Sequence, residues 1–319
     1  MATGLQQKNG IEILPEPVPV SPRLDLKVGF ACNNRCRFCV QGMKRERFGR
    51  RSREELDEIL TGNTDRAGVV FTGGEPTLHP DIIWLIARAR QLGYQSVQVQ
   101  TNGRMFAYRR FCREVVEAGV TEVSPALHGH RAELHDYLTT VAGSFEQTVA
   151  GIRNLKELGI PVVTNTVITR SNFRHLPEIA RLLVDLGVDQ YQLAFVHPVG
   201  SAGPERNFDS VVPRFQLIEP YVHRGLEIGA AAGRVVMTEA IPYCFMAGYE
   251  QYVGERIMPS TKIFDAEGVI EEYRDYRQGE GKLKGPACRQ CKFNDICEGP
   301  WREYPERYGW EEFVPVRRG

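Results

Sequence analysis

Four amphipathic stretches of this 319-residue chain, at positions 81–92, 111–118, 145–158 and 176–186, each end at a glycine: Gly93, Gly119, Gly159 and Gly187. A short run rich in β-branched residues begins within three residues of each. Glycine takes up the left-handed backbone that ends a helix, so this punctuation marks helix C-termini. With two earlier apolar runs it yields six predicted strands, at residues 26–30, 69–71, 96–100, 121–126, 162–168 and 190–195. Strands alternating with helices of this length form parallel βα units. Six units are fewer than the eight of a closed barrel, so the expected fold is α/β, a partial (βα)6 TIM-type barrel with its chemistry at the C-terminal strand ends. The alternation weakens after Pro198. The expected organisation is an N-terminal extension over residues 1–24, the barrel over 25–215 and a small cysteine-bearing domain over 216–319.

Charge narrows the function. The 40 Lys and Arg balance the 40 Asp and Glu, which excludes generic nucleic-acid binding and leaves only local basic patches as anion sites. No run of about 18 apolar residues and no basic-then-apolar start occurs, so neither a membrane span nor a signal peptide is expected, and the location expected is cytoplasmic. In that reducing compartment the eight cysteines point to metal or redox chemistry rather than structural disulfides. Cys112, inside a helical pattern, reads as a small buried apolar residue.

Three cysteines follow the first predicted strand as Cys32-Asn33-Asn34-Arg35-Cys36-Arg37-Phe38-Cys39, a CxxxCxxC. Three thiolates on one tight loop hold three irons of a cubane cluster and leave the fourth open to a ligand. A zinc site or redox pair is the alternative, but structural zinc takes four ligands and no fourth Cys or His lies nearby in sequence. The second predicted strand runs into Thr72-Gly73-Gly74-Glu75-Pro76, which alone reads as an ordinary strand-to-helix turn. The two motifs together resemble the radical S-adenosylmethionine (SAM) superfamily. The resemblance covers about residues 25 to 200 and extends to Thr101-Asn102-Gly103, Ser124 and Asn165-Thr166 at later strand ends.

That resemblance implies SAM and a 4Fe-4S cluster held by Cys32, Cys36 and Cys39. It implies that Gly73, Gly74 and Pro76 shape a turn presenting backbone to the amino end of SAM, that Glu75 helps hold the methionine end, and that Phe38 packs by the adenine. Thr101, Asn102, Ser124 and Asn165 fall where relatives make polar contacts to SAM. The implied chemistry is reductive cleavage of SAM to a 5′-deoxyadenosyl radical that abstracts a substrate hydrogen, with reduced flavodoxin or ferredoxin as electron donor. His128, behind the fourth strand, is the best candidate catalytic residue, ahead of His135 and His197; an ordinary buried histidine is the alternative. Lys44, Arg45, Arg47, Arg50, Arg51 and Arg53 crowd a segment with Glu46 as its one acid. They read as a solvated loop, or as a docking surface for an acidic donor or a phosphate-bearing substrate.

A second group, Cys288, Cys291 and Cys297, has CxxCx5C spacing, and Cys244 supplies a fourth thiol. Spacing alone allows structural zinc. Beside the first motif, it resembles the extension carrying an auxiliary 4Fe-4S cluster, in the short twitch form because the full SPASM form needs more cysteines than these four. The molybdenum-cofactor GTP cyclases share the layout but end in a Gly-Gly pair, where this chain ends Arg317-Arg318-Gly319. The expected function is a radical SAM enzyme acting on a small molecule or peptide, in an oxidative or rearranging step. With only residues 1–24 ahead of the first strand to recognise a leader peptide, the lean is toward a small molecule. A non-catalytic iron-sulfur or zinc protein, serving as electron carrier or scaffold, is the rival, and it has no need of the Gly-Gly-Glu-Pro turn.

Overall fold

The computed structural model describes residues 22–317 and, upstream, two antiparallel two-residue strands, Gln7–Lys8 and Ile11–Glu12. Most of the expected N-terminal extension, and Arg318 and Gly319, lie outside the described residues. All six predicted strands are present: β1 (Arg23–Gly29), β2 (Gly68–Gly73), β3 (Ser96–Thr101), β4 (Glu122–Pro125), β5 (Val163–Ile168) and β6 (Gln190–Phe195). β1 to β4 pair in parallel in chain order, and β5 pairs in parallel with β6. Parallel bridges Val123↔Val162 and Ala126↔Asn165 carry the array from β4 to β5.

β1 and β5 alternate as half-buried strands must, whereas β2 is buried on both faces from Gly68 to Thr72. On β1, Leu24, Leu26 and Val28 are buried in one core with Leu56 and Leu60 of α1 (Arg53–Gly62) and Leu85 and Ile86 of α2 (Ile82–Gln91). The opposite face carries Asp25 and Lys27, and the Lys27 ammonium donates to the Asp25 carboxylate and to Thr72 Oγ1, all at 3.0 Å. Further helices are α3 (Arg109–Glu117), α4 (Ala132–Thr139), α5 (Ser144–Glu157) and α6 (Leu176–Asp185). The four glycines that end α2, α3, α5 and α6 have φ of 89°, 98°, 73° and 72°, the left-handed caps their spacing predicts.

Beyond residue 215 the parallel alternation continues where the sequence suggests that it stops. Helix α7 (Phe215–Ala231) leads into β7 (Val235–Glu239), which pairs in parallel with β6. β8 (Thr261–Asp265) then joins the other edge, parallel to β1, and forms a hairpin with β9 (Gly268–Ile270). β8 and β9 run only 5 and 3 residues between short turns, too brief for a periodicity signal, and α7, which leads into β7, carries Pro220 inside it, a residue that reads as a helix break. Among the described residues no helix is long and apolar enough to cross a membrane.

The C-terminal region, which ends with α8 (Glu303–Tyr308), is tied down by buried charge. Arg277 is fully buried and donates to Glu255 at 3.1 Å and to Glu298, while Lys282 reaches Glu255 and Glu298 at 3.0 Å each. Burial opposes ionisation of Glu255, but Lys282 and Arg277 outweigh it and hold the carboxyl below its usual range. Removing one member of a buried ion network strands the others, at a cost of about 3–5 kcal/mol. Arg277→Met is therefore expected to lower the unfolding free energy, read from a denaturant titration, by that much, and a change under about 1 kcal/mol would show that the network is not a brace.

Candidate functional site

The loop that carries Cys32, Cys36 and Cys39 leaves the C-terminal end of β1 and is held from three sides. From β2, the Gly74 and Glu75 N–H groups donate to Gly29 O and Ala31 O, both at 2.8 Å. From the turn after β3, the Arg104 guanidinium donates to Asn33 O at 2.5 Å and Asn34 Oδ1 at 2.9 Å, and Asn102 Nδ2 donates to Asn33 Oδ1 at 2.6 Å. From the end of α4, Leu138 O and Thr139 O accept the Arg37 and Arg35 N–H groups at 3.0 and 2.9 Å, and the Thr140 hydroxyl donates to Arg35 O at 2.8 Å. A loop with its backbone groups committed this way presents its three thiols in one arrangement.

Gly73 and Gly74 are glycines because of that packing. Gly73 has φ of 122°, and a Cβ there would strike Gly29 O. A Cβ on Gly74 would fall 2.5 Å from Phe30 O and 2.6 Å from the Phe30 carbonyl carbon. The space the sequence reading reserves for SAM is, at these two Cβ positions, filled by the end of β1.

Glu75 lies deep in the same turn, 3 % exposed. Its Oε1 accepts from the Thr77 N–H at 3.1 Å and from the Thr77 and Thr101 hydroxyls at 2.6 Å each, and its Oε2 accepts from the Asn102 N–H at 2.6 Å. Burial pushes its pKa up against those donors. The side chain thus ties the β2 turn to the β3 turn, with Thr101 and Asn102 as its partners. Pro76 opens a 3-10 turn, Pro76–Leu78, at the position where its missing N–H costs nothing.

Ser124 is buried on β4, and Asn165 stands on β5 with its Oδ1 buried and without a hydrogen-bond partner. An orphaned buried acceptor costs free energy unless a ligand or water donates to it, and a ligand with amino or hydroxyl groups fits that need. Burial raises the pKa of all three loop thiols, and charge repulsion among the sulfurs adds to it at Cys36 and Cys32. Such thiols ionise when a cationic centre binds them.

Phe38 is buried with its ring edge-on to His128 at 4.7 Å. His128 is 4 % exposed, accepts the Val167 N–H through Nδ1 at 3.2 Å and stacks on His135 at 5.7 Å. Burial, then His135, holds its pKa well below the usual histidine value, so it stays neutral with the proton on Nε2. This is the geometry of a wedge behind Phe38. His135 accepts the His128 N–H at 3.1 Å, and burial lowers its pKa to about 4. A histidine whose folded pKa lies below its unfolded value of about 6.5 gives stability that is complete above that pH and is lost as pH falls toward 4. The melting temperature is accordingly expected to decline between pH 6.5 and 4. His135→Gln should flatten that decline, and an unchanged slope in the variant would assign it elsewhere. His197 is remote from this group: it stacks on Trp301 at 3.7 Å, beside Glu303.

Cys244, Cys288, Cys291 and Cys297 come together in the C-terminal region. All four line one hollow with Pro242, Tyr243 and Phe313. Burial raises the pKa of Cys244 and the other three sulfurs push it further. Among the described residues no three His, Cys, Asp or Glu side chains converge on a single metal ion. Cys112, by contrast, is buried in the core and its thiol donates to Phe106 O at 2.9 Å.

The model of the radical SAM superfamily matches residues 26–183. The chain belongs to the radical SAM superfamily. It is 30% identical over 192 residues to the AdoMet-dependent heme synthase of Oleidesulfovibrio alaskensis, covering 59% of this chain and 49% of that protein. It is 31% identical over 185 residues to a probable GTP 3′,8-cyclase of Saccharolobus islandicus, covering 56% and 59%. The chain thus spans about half the length of these curated relatives. Its fold is similar to that of Streptococcus suis SuiB bound to S-adenosylmethionine, with TM-score 0.67 and 15% identity over 93% of this chain and 76% of that one. It is likewise similar to anSMEcpe with bound AdoMet, with TM-score 0.66 and 14% identity over 92% and 93%.

Within the radical SAM match lie Cys32, Cys36, Phe38, Cys39, the Gly73–Pro76 turn, Thr101, Asn102, Ser124, His128 and Asn165; the four later cysteines lie C-terminal to it. Arg104, Asn33, Asn34 and the end of α4 are site residues that sequence reading missed. The legible signals are that Asn33 and Asn34 lie inside the CxxxCxxC and that Arg104 directly follows Thr101-Asn102-Gly103; the end of α4 left none.

Proposed function

We propose that this chain is a radical SAM enzyme that cleaves SAM reductively and removes a carbon-bound hydrogen from a small-molecule or peptide substrate, toward an oxidative or rearranged product. The observation that carries the reading is the junction of the Cys32–Cys36–Cys39 loop with the Gly73–Pro76 turn, made by two backbone hydrogen bonds and two glycines that tolerate no Cβ. When bound, a 4Fe-4S cluster with one open iron supplies the electron that splits the SAM sulfonium and releases the 5′-deoxyadenosyl radical. The chain's own residues hold and orient. Glu75 fixes the turn beside Cys32, the Asn165 Oδ1 accepts from the ribose or amino end, and Phe38, wedged by His128, walls the adenine side. His128 is on this reading a positioning residue.

Cys244, Cys288, Cys291 and Cys297 would hold an auxiliary 4Fe-4S cluster of the twitch/SPASM kind in the C-terminal region that follows β7. Four thiolates leave no iron open, which favours electron transfer over substrate coordination and hence an oxidative outcome. Support comes from the shared hollow that all four thiols line and from the mutual effect of the sulfurs on Cys244. Reduced flavodoxin or ferredoxin is the electron source this chemistry calls for. The test is anaerobic reconstitution with iron and sulfide, a strong reductant and SAM. The expected product is 5′-deoxyadenosine, formed slowly even without substrate. No product from protein carrying its full iron would overturn the proposal.

A further inference from the structure

Two segments from distant parts of the chain meet between the cysteine groups. The first runs from His197 to Ser201, in the loop after β6, and its far end is fastened to the N-terminal cysteine loop. The Ser201 N–H donates to Cys39 O at 2.9 Å, and Gly200 packs so closely that a Cβ there would fall 2.5 Å from Cys39 O and 2.6 Å from Val40 O. The second runs from Cys297 to Trp301. Here the Gly299 N–H donates to Cys297 Sγ at 3.4 Å, and Gly299 and Pro300 line the hollow shared by the four C-terminal thiols.

The near ends of the two segments join face to face. The His197 and Trp301 rings stack with centroids 3.7 Å apart and planes 10° from parallel, closer than the separation of about 4.5–7 Å that aromatic pairs usually prefer. Trp301 is held where it is. It is buried, the Lys282 ammonium lies 4.9 Å from its ring centre, and a Cβ on Gly281 would already press on the ring at 3.3 Å. On either side of it the backbone is bonded, the Leu283 N–H to Pro300 O and the Arg302 N–H to Gly281 O, both at 3.0 Å. Cys297 and Cys39 are thus linked by covalent chain, two hydrogen bonds and one ring stack, with no interval longer than the 3.7 Å of the stack.

We infer that the His197–Trp301 stack is the electron path between the two iron-sulfur sites. The inference rests on the proposed reading of both cysteine groups as cluster ligands. Tunnelling weakens steeply across gaps between unbonded atoms and far less along covalent bonds, hydrogen bonds and stacked π systems, so a contiguous chain of such contacts carries an electron that open space would not. The step is a bare electron transfer. The auxiliary cluster, reduced by the substrate radical, loses one electron, and the cluster on Cys32, Cys36 and Cys39 gains it; no bond breaks and no proton moves. An electron taken from the substrate returns in this way to the cluster that splits the next SAM.

The test uses the reconstituted full chain without SAM. A flash of photogenerated reductant supplies a substoichiometric pulse of electrons, and rapid freeze-quench EPR follows their redistribution between the signal that Cys32→Ala removes and the signal that Cys288→Ala removes. Trp301→Leu and His197→Leu break the stack from either side, and Trp301→Phe keeps a ring in it. His197, on the barrel side and 21% exposed, decides the matter if the buried Trp301→Leu loads its iron poorly. The expected result is redistribution several-fold slower in both leucine variants and near the wild-type rate in Trp301→Phe, with the midpoint potentials of both signals unchanged. A wild-type rate in His197→Leu overturns the inference. So does slowing accompanied by a shifted potential, which would make the stack a tuner of one cluster rather than a path between two. Absence from the wild type of any signal dependent on Cys288 overturns the auxiliary-cluster reading, and this inference with it.

Discussion

Replacing Cys32, Cys36 and Cys39 together by alanine is expected to abolish 5′-deoxyadenosine formation while iron falls from about eight to about four per chain, counting four for each cubane. The two cysteine groups are separate in structure. One lies in the loop after β1, pinned by β2, β3 and α4, and the other lines a hollow beyond β7. Neither group supplies a thiol to the other, so the C-terminal iron should survive. Iron analysis with a chromatographic assay for the nucleoside decides it. Undiminished turnover in the triple variant would remove the basis for placing the chemistry at these thiols, and zinc with about four irons in the wild type would make the tail structural.

A single substitution on the neighbouring strand's turn, against the root of the cysteine loop, should be nearly as damaging. Gly74→Val puts its first side-chain carbon 2.5 Å from Phe30 O, and backbone cannot yield there without moving the root of the cysteine loop. The Gly74 and Glu75 N–H bonds to Gly29 and Ala31 would open together, and with them the alignment of Glu75 on Thr101 and Asn102. The expected outcome is loss of both N-terminal iron and SAM cleavage, with the auxiliary site retained. A smaller residue should do less: Gly74→Ala is expected to load some iron and to cleave SAM more slowly. Normal iron loading in Gly74→Val, with only SAM affinity reduced, would mean that the glycine serves the ligand rather than the loop.

What could be read from the residues was whatever repeats locally. The six strands β1 to β6 and the glycines that close α2, α3, α5 and α6 each leave a signal within a dozen residues, and the structure has them all. The two cysteine groups and the Gly-Gly-Glu-Pro turn are short contiguous motifs, legible for the same reason. Contacts between distant residues left no such trace. Arg104 reaches Asn34 across 70 positions, and Thr140 reaches Arg35 across 105. The return of β8 to pair with β1 joins opposite ends of the chain through a strand of five residues. Even for Gly74 the motif was visible but its cause was not, because the obstructing atoms belong to Phe30 and Ala31, just past the end of β1 and more than 40 positions away. The basic run was visible too, yet most of its charge is spent on Asp265, Glu267, Glu55 and Asp81.

The account stands on SAM binding through its amino and carboxylate groups at the iron left open by three thiolates. Electron-nuclear double resonance on the reduced chain, with SAM labelled at the methionine nitrogen and carboxylate oxygen, measures this directly. The expected result is coupling of both labels to the signal that Cys32→Ala removes, and none to the signal that survives. Coupling to the surviving signal, or to neither while SAM is bound, would contradict it.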